Sequence, residues 1–176
     1  MRSKVAAGLT VLVAVAIAGC STSQTAQAPP QQPPAITQPL ASPPASPSQD
    51  EIARLFDQWN AALATGDPEK VAALYAPNAV LLPTVSNQIR TNHAEIVDYF
   101  AHFLQSKPQG KIDRGIITVM DPQTAINTGI YTFTLTQNGQ PQHVQARYTF
   151  VYQKQNGQWL IINHHSSKMP EAAPAG

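Results

Sequence analysis

Residues 56–83 read FDQWNAALATGDPEKVAALYAPNAVLLP, a stretch that begins with one hydrophobic period and ends with another. Just upstream, Ser48 followed three positions later by Glu51 is the pattern of a helix start whose side chains satisfy free backbone N–H groups. Ile52, Leu55, Phe56, Trp59 and Leu63 then recur at helical spacing as far as Gly66, which predicts a long amphipathic first helix. Asp67 and Pro68 restart a short second helix with Val71, Leu74 and Tyr75 on its inner side. Beyond it, APNAVLLPTVSN at 76–87 reads as extended chain broken at Pro83.

Asn92 with Glu95 marks a third helix start, and Ile96, Tyr99, Phe100 and Phe103 are spaced for burial before Pro108 and Gly110 close the run. From Lys111 onward the helical period disappears. The runs GIITVM, TAINTGIYTFTLTQ, QHVQARYTFVYQK and QWLIINHHSS read as strands, separated by the turn signals DPQ, NGQP and QNG. Three helices followed by an antiparallel meander predict an α+β architecture, the helices packed on one face of a curved sheet.

The ends of the chain read differently. MRSKVAAGLTVLVAVAIAGC places Arg2 and Lys4 before an uncharged run that is too short for a membrane span, which is the pattern of an export signal over residues 1–19. Its closing IAGC resembles a bacterial lipobox, which implies lipidation at Cys20, the chain's single cysteine, and a membrane anchor in the cell envelope. Ser21 after that cysteine implies a periplasmic domain held at the outer membrane in a cell that has one. Residues 20–48 are rich in Pro, Gln and Ser and read as a tether, because they cannot bury enough apolar surface to offset ordering. Residues 49–170 have the length of one domain, and 171–176 read as a tail. A net charge of +1 without basic clusters argues against nucleic acid as a partner.

The order of elements, with FDQWNAALATGDPEKVAALYAPNAVLLP and GQWLIINHHSSKMP, resembles the cone of the nuclear-transport-factor-2 superfamily. Within it, the chain is similar to the branch of the calcium/calmodulin-dependent kinase II association domain. LLPTVSN, DYFAHFL and HHSSKMP together resemble the iota class of carbonic anhydrases.

Strict alternation along the last strand groups Trp159, Ile161, Asn163, His165 and Ser167 on one face, and Leu160, Ile162, His164 and Ser166 on the other. Only one His-x-Ser pair can therefore face a cavity. The resemblance implies that it is His165 and Ser167, since the kinase domain ends on a His-x-Ser that aligns with them. It further implies that Thr84 and Tyr99 complete a cavity holding water and bicarbonate, with His165 as the base. Arg147 and Asn163 are the candidate anion-binding neighbours, and Phe100 and Ile161 the apolar walls. No cofactor is demanded by this chemistry, and His93, His102, His143, His164 and His165 fall on elements that give no convincing zinc triad.

The implied activity is reversible hydration of carbon dioxide. A noncatalytic ligand-binding or oligomerisation module is the alternative, and an isomerase of the same cone is disfavoured because the inner strand faces offer no acid to orient a histidine. The resemblance implies a homodimer, and Tyr148, Phe150 and Tyr152, alternating along one strand, either supply its apolar contact or belong to the core.

Overall fold

The computed structural model describes residues 45–170; the expected export signal, Cys20, most of the expected tether and the expected 171–176 tail lie outside the described residues. Helix α1 spans Gln49–Ala64, α2 Pro68–Ala72 and α3 His93–Phe103, the last running into a 3₁₀ turn at Leu104–Ser106. Strands β1 (Tyr75–Leu82), β2 (Gln109–Asp121), β3 (Thr124–Gln137), β4 (Gln140–Gln155) and β5 (Gln158–Lys168) form one sheet in the order β1-β5-β4-β3-β2. The α+β architecture is as the pattern predicts. Among the described residues no helix is long and apolar enough to cross a membrane.

Each helix starts where its cap residue sits. Ser48 Oγ accepts from the Glu51 amide at 3.1 Å, Asp67 from Glu69 at 3.0 Å and Asn92 from Glu95 at 3.0 Å. Thr91 donates its amide back to the Glu95 carboxylate at 2.7 Å, which holds that carboxyl below its ordinary range. Asn138-Gly139 and Asn156-Gly157 all have positive φ, as two-residue hairpin turns joining β3 to β4 and β4 to β5 require.

The stripe Ile52, Phe56, Trp59 and Leu63 of α1 is buried against the concave face of the sheet. Phe56 lies 6.4 Å from the Tyr148 ring and 6.2 Å from Phe150, and Tyr152 stacks on Phe150 at 5.7 Å. Of the two readings of Tyr148, Phe150 and Tyr152, dimer contact or core, the second is the one found: even-numbered β4 positions turn toward α1, and the outer face receives Arg147, Thr149 and Val151. Asn60 pins α1 to β2 by a reciprocal pair with Gly110, donating to its carbonyl at 3.0 Å and accepting from its amide at 2.8 Å.

The sheet departs from the expected meander in two ways. β1 joins as a fifth, edge strand parallel to β5, and Tyr75, expected on the inner side of α2, is its first residue, opposite Ile161. β2 begins at Gln109, well before the predicted Gly115, because Gly110 and Lys111 already pair with Phe133 and Thr132. At Gly129 the strands approach so closely that a Cβ would lie 1.9 Å from the Arg114 carbonyl oxygen, so only glycine fits there.

Candidate functional site

The polar end of β5 is set by one irregularity. Tyr152 of β4 faces Ile161 and the next residue back, Val151, faces Asn163, so Ile162 is an extra residue in the ladder. A bulge of one residue reverses the face taken by every side chain after it. Ile161, His164 and Ser166 are consequently all interior, with exposures of 2%, 4% and 6%, and His165 is exposed. The expectation for His165 and Ser167 is thereby corrected: strict alternation fails between Ile161 and Asn163, and the inward pair is His164 and Ser166.

His164 and Ser166 line an inner cavity of about 30 Å³ together with Thr84, Tyr99 and Tyr131. These five come from four places in the chain: the turn after β1, α3, β3 and β5. Ser166 Oγ is hydrogen-bonded to Thr84 Oγ1 and accepts from the Tyr131 hydroxyl at 2.5 Å. The apolar wall includes Trp59, Leu81, Phe100 and Phe133; Phe100 is thus where the sequence placed it, whereas Ile161 belongs to the core beside it. Tyr131 was not singled out from sequence, because in the alternation Tyr131, Phe133, Leu135 it carries only a core signal.

The imidazole of His164 stacks on Phe150 at 4.0 Å and meets the Trp59 ring edge-on at 5.4 Å. Its Nδ1 lies 2.9 Å from the Tyr75 hydroxyl, which in turn accepts from the Trp59 indole N–H at 3.1 Å. Burial, and secondarily the adjacent His165, pushes the His164 pKa down to about 3, so the ring is neutral at ordinary pH. Burial likewise raises the phenols of Tyr75, Tyr99 and Tyr131, which keeps all three as protonated hydroxyls. Among the described residues His164 Nε2 has no hydrogen-bond partner.

Tyr99, Val85, Phe103 and Leu135 also line an adjoining cavity of about 350 Å³, to which Ser86, Arg90 and His102 contribute. Arg90 is held there by a two-way backbone bridge to Leu81 at 2.8 and 2.9 Å. Its guanidinium lies 5.9 Å from the centre of the Tyr99 ring and 3.8 Å from the Asp98 carboxylate. No sequence pattern marks Arg90, which sits in the connection between β1 and α3.

The remaining candidates gather on the outer face of the sheet. Register aligns Arg114, Ile130, Arg147 and Ser167 in one row and Ile116, Thr128, Thr149 and His165 in the next. These rows line a separate groove of about 560 Å³. Arg147 thus accompanies His165 and Ser167 as its strand position suggests, but away from the inner cavity, and Asn163, opposite Val151, does not line that cavity either. The bulge in β5 accounts for Asn163, His165 and Ser167, and the alternation of β4 for Arg147. Among the described residues no carboxylate lines the inner cavity, and no three His, Cys, Asp or Glu side chains cluster as a metal site.

Comparison with known proteins places this geometry in a family. Residues 48–170 match the calcium/calmodulin dependent protein kinase II association domain. A Xanthomonas campestris structure assigned to that same domain is 57% identical, covering 75% of this chain and 95% of its own, with a TM-score of 0.71. A nuclear transport factor 2-like protein from Salmonella enterica, 21% identical over 71% of this chain and 93% of its own, has a TM-score of 0.62. The hub homology domain from Chlamydamonas reinhardtii, 20% identical over 69% of this chain and 98% of its own, has a TM-score of 0.56, and these two show the shared fold. No curated protein matches the chain. The chain belongs to the calcium/calmodulin-dependent protein kinase II association-domain family.

Proposed function

We propose that the chain is a carbonic anhydrase of the iota type, with His164 and Ser166 taking the places first expected for His165 and Ser167. The observation that carries this reading is the convergence of Thr84, Tyr99, His164 and Ser166 on one small, apolar-walled cavity. At about 30 Å³ the cavity suits carbon dioxide with a water, since one water needs roughly 10–15 Å³. Organic ligands of ordinary size fill pockets of roughly 300–1,000 Å³.

In hydration, the water oxygen bonds to carbon, a carbon–oxygen π pair moves onto oxygen, and the water gives up a proton, so that carbon dioxide and water become bicarbonate and a proton. The Tyr99 hydroxyl, and whichever of the mutually bonded Thr84 and Ser166 hydroxyls is the acceptor of that pair, can donate to the developing negative oxygens, and no carboxylate among the described residues lines the cavity to repel the product. The proton leaves to solvent through the adjoining cavity that Tyr99 shares. The scheme uses side chains alone. A lipid anchor at Cys20 would hold this activity in the cell envelope, and family membership supports a homo-oligomer, readable by sedimentation at micromolar concentration.

The test is stopped-flow hydration of carbon dioxide by the full chain and by Thr84→Val. A rate well above buffer that falls about tenfold in the variant supports the reading. A wild-type rate equal to buffer overturns it and leaves an association module.

A further inference from the structure

Behind the wall of the inner cavity runs a hydrogen-bonded chain that the reading above does not use: Trp59 Nε1–H to Tyr75 oxygen, and Tyr75 hydroxyl to His164 Nδ1, with Trp59 and His164 lining the cavity and Tyr75 in the core beside it. An indole N–H can only donate, so the Tyr75 oxygen is an acceptor at that end. Two arrangements of the other end are possible. If Nδ1 carries the imidazole proton, the phenol oxygen accepts twice; its own proton then has no acceptor and the Nε2 lone pair has no donor. If the phenol donates to Nδ1, only the Nε2 proton is unpartnered. Leaving a buried polar group unmade is costly, so the arrangement with one such group is preferred over that with two.

We infer that Trp59 and Tyr75 are positioning residues that fix His164 as the neutral Nε2–H tautomer, so that in the inner cavity its role is to donate a hydrogen bond to an oxyanion, not to accept a proton. This rests on the proposed function for the identity of the oxyanion, bicarbonate, but the tautomer itself does not. Four features support it. The Trp59 ring that supplies the first donor is fixed in the core, edge-on to both Phe150 at 5.3 Å and His164 at 5.4 Å. Burial keeps the Tyr75 phenol protonated and therefore able to donate. The same burial holds the imidazole neutral, which suits a fixed donor better than a base that must charge in each cycle. The hydroxyls of Thr84 and Ser166 already bond to one another in the same cavity, so a guest oxygen there would find the imidazole N–H as a donor not engaged elsewhere.

The test is long-range ¹H–¹⁵N correlation on the full chain labelled at histidine, at pH 7, with His164 assigned from its absence in His164→Gln. The expected result is a protonated Nε2 and an unprotonated Nδ1 in the wild type. In Tyr75→Phe, which removes only the hydroxyl, the tautomer shifts toward Nδ1–H or becomes mixed, and the hydration rate falls about tenfold at every pH, without displacement of the pH profile. A wild-type Nδ1–H tautomer overturns the inference whatever the enzyme does, and needs no variant to fold. The NMR result stands equally in a protein that hydrates nothing, so failure of the proposed activity and failure of the tautomer assignment are read separately.

Discussion

The end of β5 carries two His-x-Ser pairs one residue apart, and the fold treats them oppositely. His164 and Ser166 are buried among aromatic rings and hydroxyls in a cavity of about 30 Å³, while His165 and Ser167 lie on an outer groove of about 560 Å³ beside Arg114 and Arg147. The residue types are identical. What differs is the phase of the strand, and that is set by the extra residue at Ile162. Side-chain chemistry at a strand end is therefore assigned only once the ladder is known.

The largest effect should come from removing that extra residue. Deleting Ile162 takes out the bulge, so that Ile161 and Asn163 follow in plain alternation opposite Tyr152 and Val151, and His164 and Ser166 stay inward; closing the ladder over the missing residue should cost about 3 kcal/mol or more in denaturant unfolding. In that background, loss of hydration should still follow His164→Ala and not His165→Ala. If the histidine dependence passes to His165 instead, the extra residue is not what sets the phase of the strand end.

Gly129→Ala probes the close approach of β3 to β2 at the lining of the outer groove. Its Cβ would meet the Arg114 carbonyl at 1.9 Å, so the backbone must move, and a loss of about 2 kcal/mol is expected. An unchanged melting temperature would show that the close approach has slack.

Acid sharpens the contrast next. The unfolded His164 takes a proton near 6.5, whereas burial delays it in the fold to about 3. Between these values the unfolded chain binds more protons, so stability falls as pH falls, by up to about 1.4 kcal/mol per pH unit. His164→Gln should lack this part of the acid limb, as measured by urea unfolding between pH 6.5 and 4. The smallest effect belongs to the outer groove: Arg147→Ala should change stability by no more than about 0.5 kcal/mol and hydration hardly at all.

Much of the fold was legible because its signals are local. Ser48 with Glu51, Asn92 with Glu95, and the two Asn-Gly turns are each read within four residues, and each does in the structure what its chemistry requires. The parallel pairing of β1 with β5 is not local, and Tyr75 illustrates the cost: four residues after Val71 it looks like helix, yet it starts the strand that pairs with Ile161. The cavity was legible in part. Thr84 and Tyr99 were found, but the inner histidine was misassigned because Ile161-Ile162 is apolar in either phase and hides the bulge. Tyr131 and the Trp59–Tyr75 chain went unseen, since an aromatic on a buried face reads as packing until its hydroxyl or indole nitrogen is located against a partner.

The most direct measurement compares His164→Ala with His165→Ala in stopped-flow carbon dioxide hydration, with circular dichroism confirming that both are folded. The account predicts a loss of roughly 10²–10³ in kcat for His164→Ala, the scale of removing one donor to a developing oxyanion, and a rate within about twofold of wild type for His165→Ala. A folded His164→Ala that hydrates at the wild-type rate, or a loss confined to His165→Ala, would contradict it.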